Sequence, residues 1–152
     1  MARCIGRAGP PRLVWLAPAA VWLMMAGCQG EMRTAPLTAS RTPFVRDIPV
    51  PMSFELVDTM SRSDRRPGFR RIEHSYFGIV EPVIAYAFYR DEMPKCGWRL
   101  LSDQNVQGIY HLSFQKGQEA AVVVVKRDRR GLQSGTLVSV SVKPIAVVIT
   151  RE

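Results

Sequence analysis

An uncharged run of 15 residues, from Leu13 to Gly27, determines which part of this chain can form a folded domain. Three arginines and no acidic residue precede the run, and the first acidic residue after it is Glu31. A basic segment followed by an apolar segment of this length is typical of a signal peptide. A helix that spans a bilayer needs about 20 apolar residues, so the run is short for one. The sequence therefore predicts an exported chain whose folded part follows the run.

Residues 25–28, Met-Ala-Gly-Cys, resemble a bacterial lipobox. In lipoproteins this pattern implies a thioether-linked lipid on the cysteine and cleavage just before it. Met25 stands where leucine is usual. The resemblance predicts a signal peptide over 1–27, a lipid on Cys28 and a protein anchored in the bacterial cell envelope, facing the periplasm. Gln29, in place of an aspartate, favours the outer over the inner membrane. An uncleaved anchor and an ordinary secreted protein remain alternatives.

Charge and cysteine content fit an exported protein of one domain. Removal of the leader leaves 125 residues, enough for a single core. The three leader arginines go with it, so 18 basic and 13 acidic residues remain, a formal net charge of +5 instead of +8. This charge favours anionic lipids or envelope polymers over nucleic acid as partners. Cys96 is left without a partner, so no intrachain disulfide is expected, and we interpret it as a small buried residue rather than a nucleophile.

Composition divides the mature chain into a tether and a domain. Residues 28–46 carry the lipidated cysteine and a segment rich in threonine and proline with few apolar residues. Such a segment buries too little apolar surface to fold. We therefore expect a flexible tether over 28–46 and a single domain over 47–152.

Hydrophobic periodicity predicts an α+β domain. Residues 70–80 read as a strand, and a helix from Pro82 to about Met93 follows. Four strands then form a meander, over 98–106, 109–115, 118–126 and 132–143, and a short apolar tail follows over 145–149. The expected architecture is one amphipathic helix packed on a mostly antiparallel sheet of about five strands, in the order strand-helix-strand-strand-strand-strand. The first strand could lie parallel to a meander strand or at the far edge.

Helical spacing assigns the buried face of the helix to Val83, Ile84, Ala87 and Phe88. Met93, with the two tyrosines of the helix, forms a flanking stripe. The segment from Ser61 to Gly68 is polar and is interpreted as a loop, and the segment from Asp128 to Gly131 as a charged hairpin tip.

A set of spaced residues over about 48–144 resembles a family of small bacterial lipoproteins. The matching positions are Tyr76, Gly78, Phe88, Tyr89, Met93, Pro94, Gly97, Trp98, Leu112, Phe114 and Lys116. The resemblance implies the same α+β domain behind a lipidated cysteine. It transfers no catalytic residue.

Motifs for chemistry are absent from the sequence. His74 and His111 have no neighbours at metal-ligand spacing, so neither a metal site nor a cofactor is predicted. The Gly-x-Ser-x-Gly pattern of esterases is missing as well.

Basic residues supply the only candidate contact site. One group is Arg62, Arg65, Arg66, Arg70 and Arg71, and a second lies between residues 126 and 130. Such groups either solvate loops or face an anionic surface, at a membrane or on a partner. The function predicted is a non-catalytic binding or assembly module held at a membrane by the lipid on Cys28, with an envelope protein, anionic lipid or polymer as partner. The alternative is an envelope hydrolase with an unrecognised site.

Overall fold

The computed structural model describes residues 35–66 and 69–145, without the side chains of 65, 66 and 69. Two short elements come first, strand β1 (Glu55–Leu56) and a 3-10 turn (Asp58–Met60). The remaining elements are β2 (Arg62–Arg66), β3 (Phe69–Gly78), α1 (Pro82–Lys95), β4 (Arg99–Val106), β5 (Ile109–Lys116), β6 (Glu119–Arg130) and β7 (Gln133–Pro144).

All strand pairs in the described part of the chain are antiparallel, and one helix packs on the sheet. The strands run in the order β1-β3-β7-β6-β5-β4, and β2 also pairs with β3. The predicted α+β class and the meander are confirmed. The predicted number of about five strands is too low, because the sheet has seven strands within the described residues. The two extra strands are β1, which is only two residues long, and β2, whose polar sequence was interpreted as a loop.

The first predicted strand, β3, lies inside the sheet. It pairs antiparallel with the last meander strand, so that Tyr76 lies opposite Val138 and His74 opposite Val140. It is therefore not parallel to a meander strand. It lies beside the edge strand β7 of the meander, but β1 and β2 pair with its other side, so it is not at the edge of the sheet. Of the predicted apolar tail, Ile145 donates its backbone N–H to the carbonyl of Gln118, and residues 146–149 lie outside the described residues.

Helix α1 begins at the proline that the sequence indicated, but its buried face is rotated. Phe88 is buried as predicted, whereas Val83 is 48% exposed. Tyr89 and Met93, predicted to flank the stripe, have no exposed surface. The helix carries apolar residues on more than one side, so spacing alone did not determine which side meets the sheet.

The helix ends in a glycine-dependent cap. Gly97 has φ +87°, a left-handed conformation. The N–H of Gly97 bonds to the carbonyl of Pro94 at 3.0 Å, and the N–H of Trp98 bonds to that of Met93 at 3.2 Å. These two bonds are those of a Schellman motif. The cap turns the chain so that the Trp98 ring enters the core, where it is 1% exposed.

Large side chains fill the space between α1 and the sheet. The largest, all less than 2% exposed, are Trp98, Tyr76, Tyr89, Phe114, Ile48, Ile72, Met93 and Leu112. Gly78 in β3 allows this packing, because the Phe54 ring would come within 2.5 Å of a Cβ atom there. An aromatic ring thus occupies the space that a side chain at position 78 would need.

The chain before residue 47 packs on the domain where it is described. Ala39 forms an antiparallel bridge with Pro51, and the N–H of Ser40 donates to the carbonyl of Val50 at 2.7 Å. Val45 is 3% exposed and Leu37 packs against the core. Residues 39–45, assigned to the tether by composition, are therefore part of the folded unit.

Candidate functional site

The five arginines predicted to face an anionic surface are separated by the β2–β3 hairpin. Arg62 and Arg71 are exposed. Arg70 points to the other side of the sheet, where its side chain is 21% exposed. The side chains of Arg65 and Arg66 lie outside the described residues. The structure therefore removes Arg70 from the candidate contact surface and leaves Arg62 and Arg71 on it.

Arg70 is held by two carboxylates from distant parts of the chain. Its two terminal nitrogens donate to the Asp47 carboxylate at 2.9 and 3.0 Å, and its Nε donates to Glu119 Oε1 at 2.9 Å. A second guanidinium nitrogen also bonds to Glu119. Lys116 Nζ donates to Asp47 Oδ2 at 3.1 Å and to the carbonyl oxygen of Cys96 at 2.9 Å. We call these four charged residues, Asp47, Arg70, Lys116 and Glu119, the ionic cluster.

The electrostatics of the ionic cluster suit a structural role. Burial alone would raise the pKa of Asp47, but hydrogen bonds from Arg70 and Lys116 outweigh it and hold that pKa below its ordinary value. The bond to Asp47, with that to Glu119, raises the pKa of Arg70 further above its ordinary value. The carbonyl of Asp47 also accepts the indole N–H of Trp98 at 2.7 Å. The cluster thus joins the N-terminal segment, β3, β5, β6 and the helix cap.

The outward face of the β2–β3 hairpin carries the exposed charges. Arg71 Nη2 lies 2.9 Å from Glu73 Oε1, and Lys143 Nζ from β7 lies 3.8 Å from the same oxygen. The pKa of Glu73 is lowered by its hydrogen bond with Arg71 and by the nearby charges of Lys143 and Arg62. A shallow depression of about 400 Å³ opens here, lined by Arg62, Ser63, Asp64, Arg71 and Glu73. We call it the hairpin depression.

A second polar group lies on the opposite face of the same hairpin. Ser63 Oγ and His74 Nε2 are 2.7 Å apart, and His74 Nδ1 and the Tyr76 hydroxyl are 3.0 Å apart. Ser63 is exposed, whereas His74 is 8% exposed and Tyr76 is fully buried. Burial raises the pKa of Tyr76 to about 12, so its hydroxyl keeps its proton at neutral pH. This serine–histidine–tyrosine chain was not predicted, because Ser63 was assigned to a loop.

Other residues considered from the sequence stay outside these groups. Burial raises the pKa of the partly exposed Cys96 thiol, although Lys116 opposes the shift, so the thiol is not activated. No three potential ligands gather as a metal site within 35–66 and 69–145. Within the same ranges no helix is long and apolar enough to cross a bilayer. The predicted lipidation site, Cys28, lies outside the described residues.

Comparison with known proteins gives one partial match. A family model described as START domain-like matches residues 84–144, from the first turn of α1 to the end of β7. No curated protein and no solved structure matches the chain. The match covers the helix and the four-strand meander, whereas β1, β2, β3 and the hairpin depression lie outside it.

Proposed function

We propose that this protein is a lipid-anchored module of the bacterial cell envelope that binds an anionic partner and does not turn over a substrate. The anchor is the lipid on Cys28, which follows from the basic leader, the apolar run and the Met-Ala-Gly-Cys sequence at 25–28. START-like domains are generally binding modules, and the partial match supports binding over catalysis.

The binding surface proposed is the hairpin depression. Side chains fill the described space between α1 and the sheet, so a ligand is expected on the surface rather than inside the fold. Arg62, Arg71 and Lys143 surround Glu73, and this arrangement carries the proposal. A guanidinium group binds a carboxylate or a phosphate through paired N–H donors. An incoming anionic group would take the place of Glu73 as the acceptor for Arg71.

The test is capture of partners by the full-length protein, purified in detergent from its own envelope. Arg62→Glu together with Arg71→Glu should abolish capture of a partner whose binding is sensitive to salt. The melting temperature should not change, because both side chains are exposed. The control, Arg46→Glu with Arg99→Glu, reverses the same number of exposed charges elsewhere. Equal capture by both variants would refute the depression as the site.

A parallel Cys28→Ala variant tests the anchor. If this variant keeps the wild-type mass and membrane fraction, the lipid anchor is refuted.

The second candidate function is a hydrolase, and the serine–histidine–tyrosine chain favours it. A serine within hydrogen-bond distance of a histidine, which is itself oriented by a third group, has the geometry of an activated nucleophile. His74 Nε2 would accept the proton of Ser63 Oγ as that oxygen attacks an acyl carbon, and would pass it to the alcohol or amine that leaves when the substrate's acyl bond breaks. Water would later release the acyl group from Ser63. This candidate stands second because Tyr76 is neutral at pH 7 and cannot balance a charged imidazole as a carboxylate does.

A fluorophosphonate probe distinguishes the two candidates. If Ser63 is a nucleophile, the native protein should be labelled at Ser63, and His74→Ala should reduce labelling by a factor of about 100 or more. Ser134→Ala, at a partly exposed serine of β7, serves as the control and should not change labelling. Absence of labelling in the native protein removes the hydrolase from consideration.

A further inference from the structure

The hairpin between β6 and β7 extends beyond the rest of the sheet. β3 ends at Gly78, opposite Thr136, and β5 begins its pairing with β6 at Tyr110, opposite Val125. Beyond those points, residues 128–130 pair only with residues 133–135. At about 3.4 Å per residue, this two-stranded part projects roughly 10 Å past its neighbours.

An apolar side chain stands at the end of this projection. Leu132 is 104% exposed, the largest exposed fraction among the large hydrophobic side chains described. Met60, which is 50% exposed, lies at the stem of the hairpin, where its sulfur is 3.8 Å from Arg130 Nη2. A leucine at a turn has no packing role there, and a solvent-facing turn usually carries a polar residue. The position therefore fits an apolar environment outside the protein.

Basic residues precede Leu132 along the same hairpin. Between residues 126 and 132 the sequence has four basic residues and one acidic residue, Asp128. Lys126 and Arg129 are exposed, and the Arg130 guanidinium lies 5.0 Å from the centre of the Phe77 ring. Arg127 is paired with Glu81 at 2.5 Å. Apolar side chains flanked by cations suit the interface of an anionic membrane, where the chains enter the lipid and the cations meet phosphates.

We infer that the β6–β7 hairpin tip docks on the anionic membrane that carries the lipid anchor, with Leu132 inserted. This inference rests on the proposed anchor, whose position is compatible with it. Ala35 lies beside Met52 in a surface depression, and Phe54, two residues after Met52, contacts Gly78 near the base of the hairpin. Cys28 and Ala35 are seven residue steps apart, which reach at most about 25 Å. The tip and the anchor can therefore touch the same surface.

Docking by the tip would direct the opposite end of the sheet away from the membrane. β3 runs from Phe69 to Gly78, so its Phe69 end lies at the end of the sheet opposite to the hairpin tip. The hairpin depression, on the outer face of those strands, would then remain accessible to a partner in the periplasm.

The test places an environment-sensitive fluorophore at residue 132 of the full-length protein in lipid nanodiscs. The labelled variant is Leu132→Cys in a Cys96→Ser background, and the control is Gln118→Cys, exposed in the β5–β6 turn at the other end of the sheet. With anionic lipid, the probe at 132 should shift to the blue and be protected from iodide, while the probe at 118 stays quenched. Equal quenching at both positions overturns the inference.

Charge reversal separates insertion from simple proximity. Lys126→Glu with Arg129→Glu should lower the inserted fraction at residue 132 about tenfold or more, because each cation near an anionic surface strengthens binding about fivefold. Arg46→Glu with Arg99→Glu should leave it unchanged. If residue 132 still inserts in the Lys126→Glu, Arg129→Glu variant, the proposed contact of these two cations with the membrane is wrong. The intact mass reports lipidation independently, and if Cys28 is unmodified, vesicle sedimentation of the same variants tests the tip without the anchor.

Discussion

Arg70 lies on the same face of β3 as Ile72, His74 and Tyr76, and this face is on the helix side of the sheet. Alternation along a strand therefore assigns Arg70 to the inner face and Arg71 to the outer face. A cation on an inner face needs a carboxylate, but Asp47 and Glu119 lie 23 and 49 residues away. The sequence pattern could have indicated the side of Arg70. It could not have indicated the partners, because they meet only in the folded sheet.

We predict that Asp47→Asn destabilises the domain by about 1–3 kcal/mol at neutral pH, since charged hydrogen bonds from Arg70 and Lys116 are lost. The folded-state pKa of Asp47 is lowered, so its contribution is present above the ordinary value of about 3.9 and is lost as the pH falls through the lowered pKa. Urea titrations at pH 7 and pH 3 should therefore show a difference from wild type that shrinks in acid. Glu55→Gln, at an exposed position, is the control. A difference that does not depend on pH would contradict this role of the carboxylate.

Helix α1 shows which features of an element are readable from sequence. Pro82 sets its start through a fixed φ angle, as predicted, and Gly97 sets its end through a left-handed conformation, close to the predicted end at about Met93. The buried face depends instead on what lies around the helix. Ile84 and Ala87 are half-buried and line a surface depression together with Pro36 and Leu37, so this side of the helix faces the N-terminal segment rather than the sheet.

The rotation of α1 can be measured with two alanine substitutions. Met93→Ala should cost about 2–5 kcal/mol, because the side chain has no exposed surface and a cavity would remain. Val83→Ala should change stability by less than about 0.5 kcal/mol, because the residue is 48% exposed. The face predicted from spacing requires the opposite ranking. Chemical denaturation of both variants decides between the two faces, with Phe88→Ala as a destabilising reference common to both.

The fold class of the whole molecule could be predicted from the order of the strong hydrophobic patterns. The elements with weak patterns could not be predicted. The meander strands alternate clearly, and a single helix before them predicts α+β. β2 has no apolar alternation, and its pairing with β3 supplies the order that its own sequence lacks. The same argument explains the N-terminal segment, whose few apolar residues reach the core only because the domain offers them a surface. The hairpin depression depends on β2, so the sequence indicated Arg62 and Arg71 as candidate contacts but not the depression that they line together with Glu73.

The extent of the folded unit gives the last prediction. Relative to a chain that starts at residue 35, one that starts at residue 47 lacks Val45 and the backbone bonds that join Thr38 and Ser40 to Met52 and Val50. Burial of a valine contributes about 1.5–3 kcal/mol, and each hydrogen bond about 0.5–1.5 kcal/mol. We therefore expect the shorter chain to be less stable by roughly 2.5–6 kcal/mol in urea titration, with a smaller denaturant slope. Equal midpoints and slopes would mean that the segment before residue 47 belongs to the tether. If the shorter chain is less stable as expected, the tether is reduced to residues 28–34 and holds the domain within about 25 Å of its anchor, as docking of the β6–β7 tip requires.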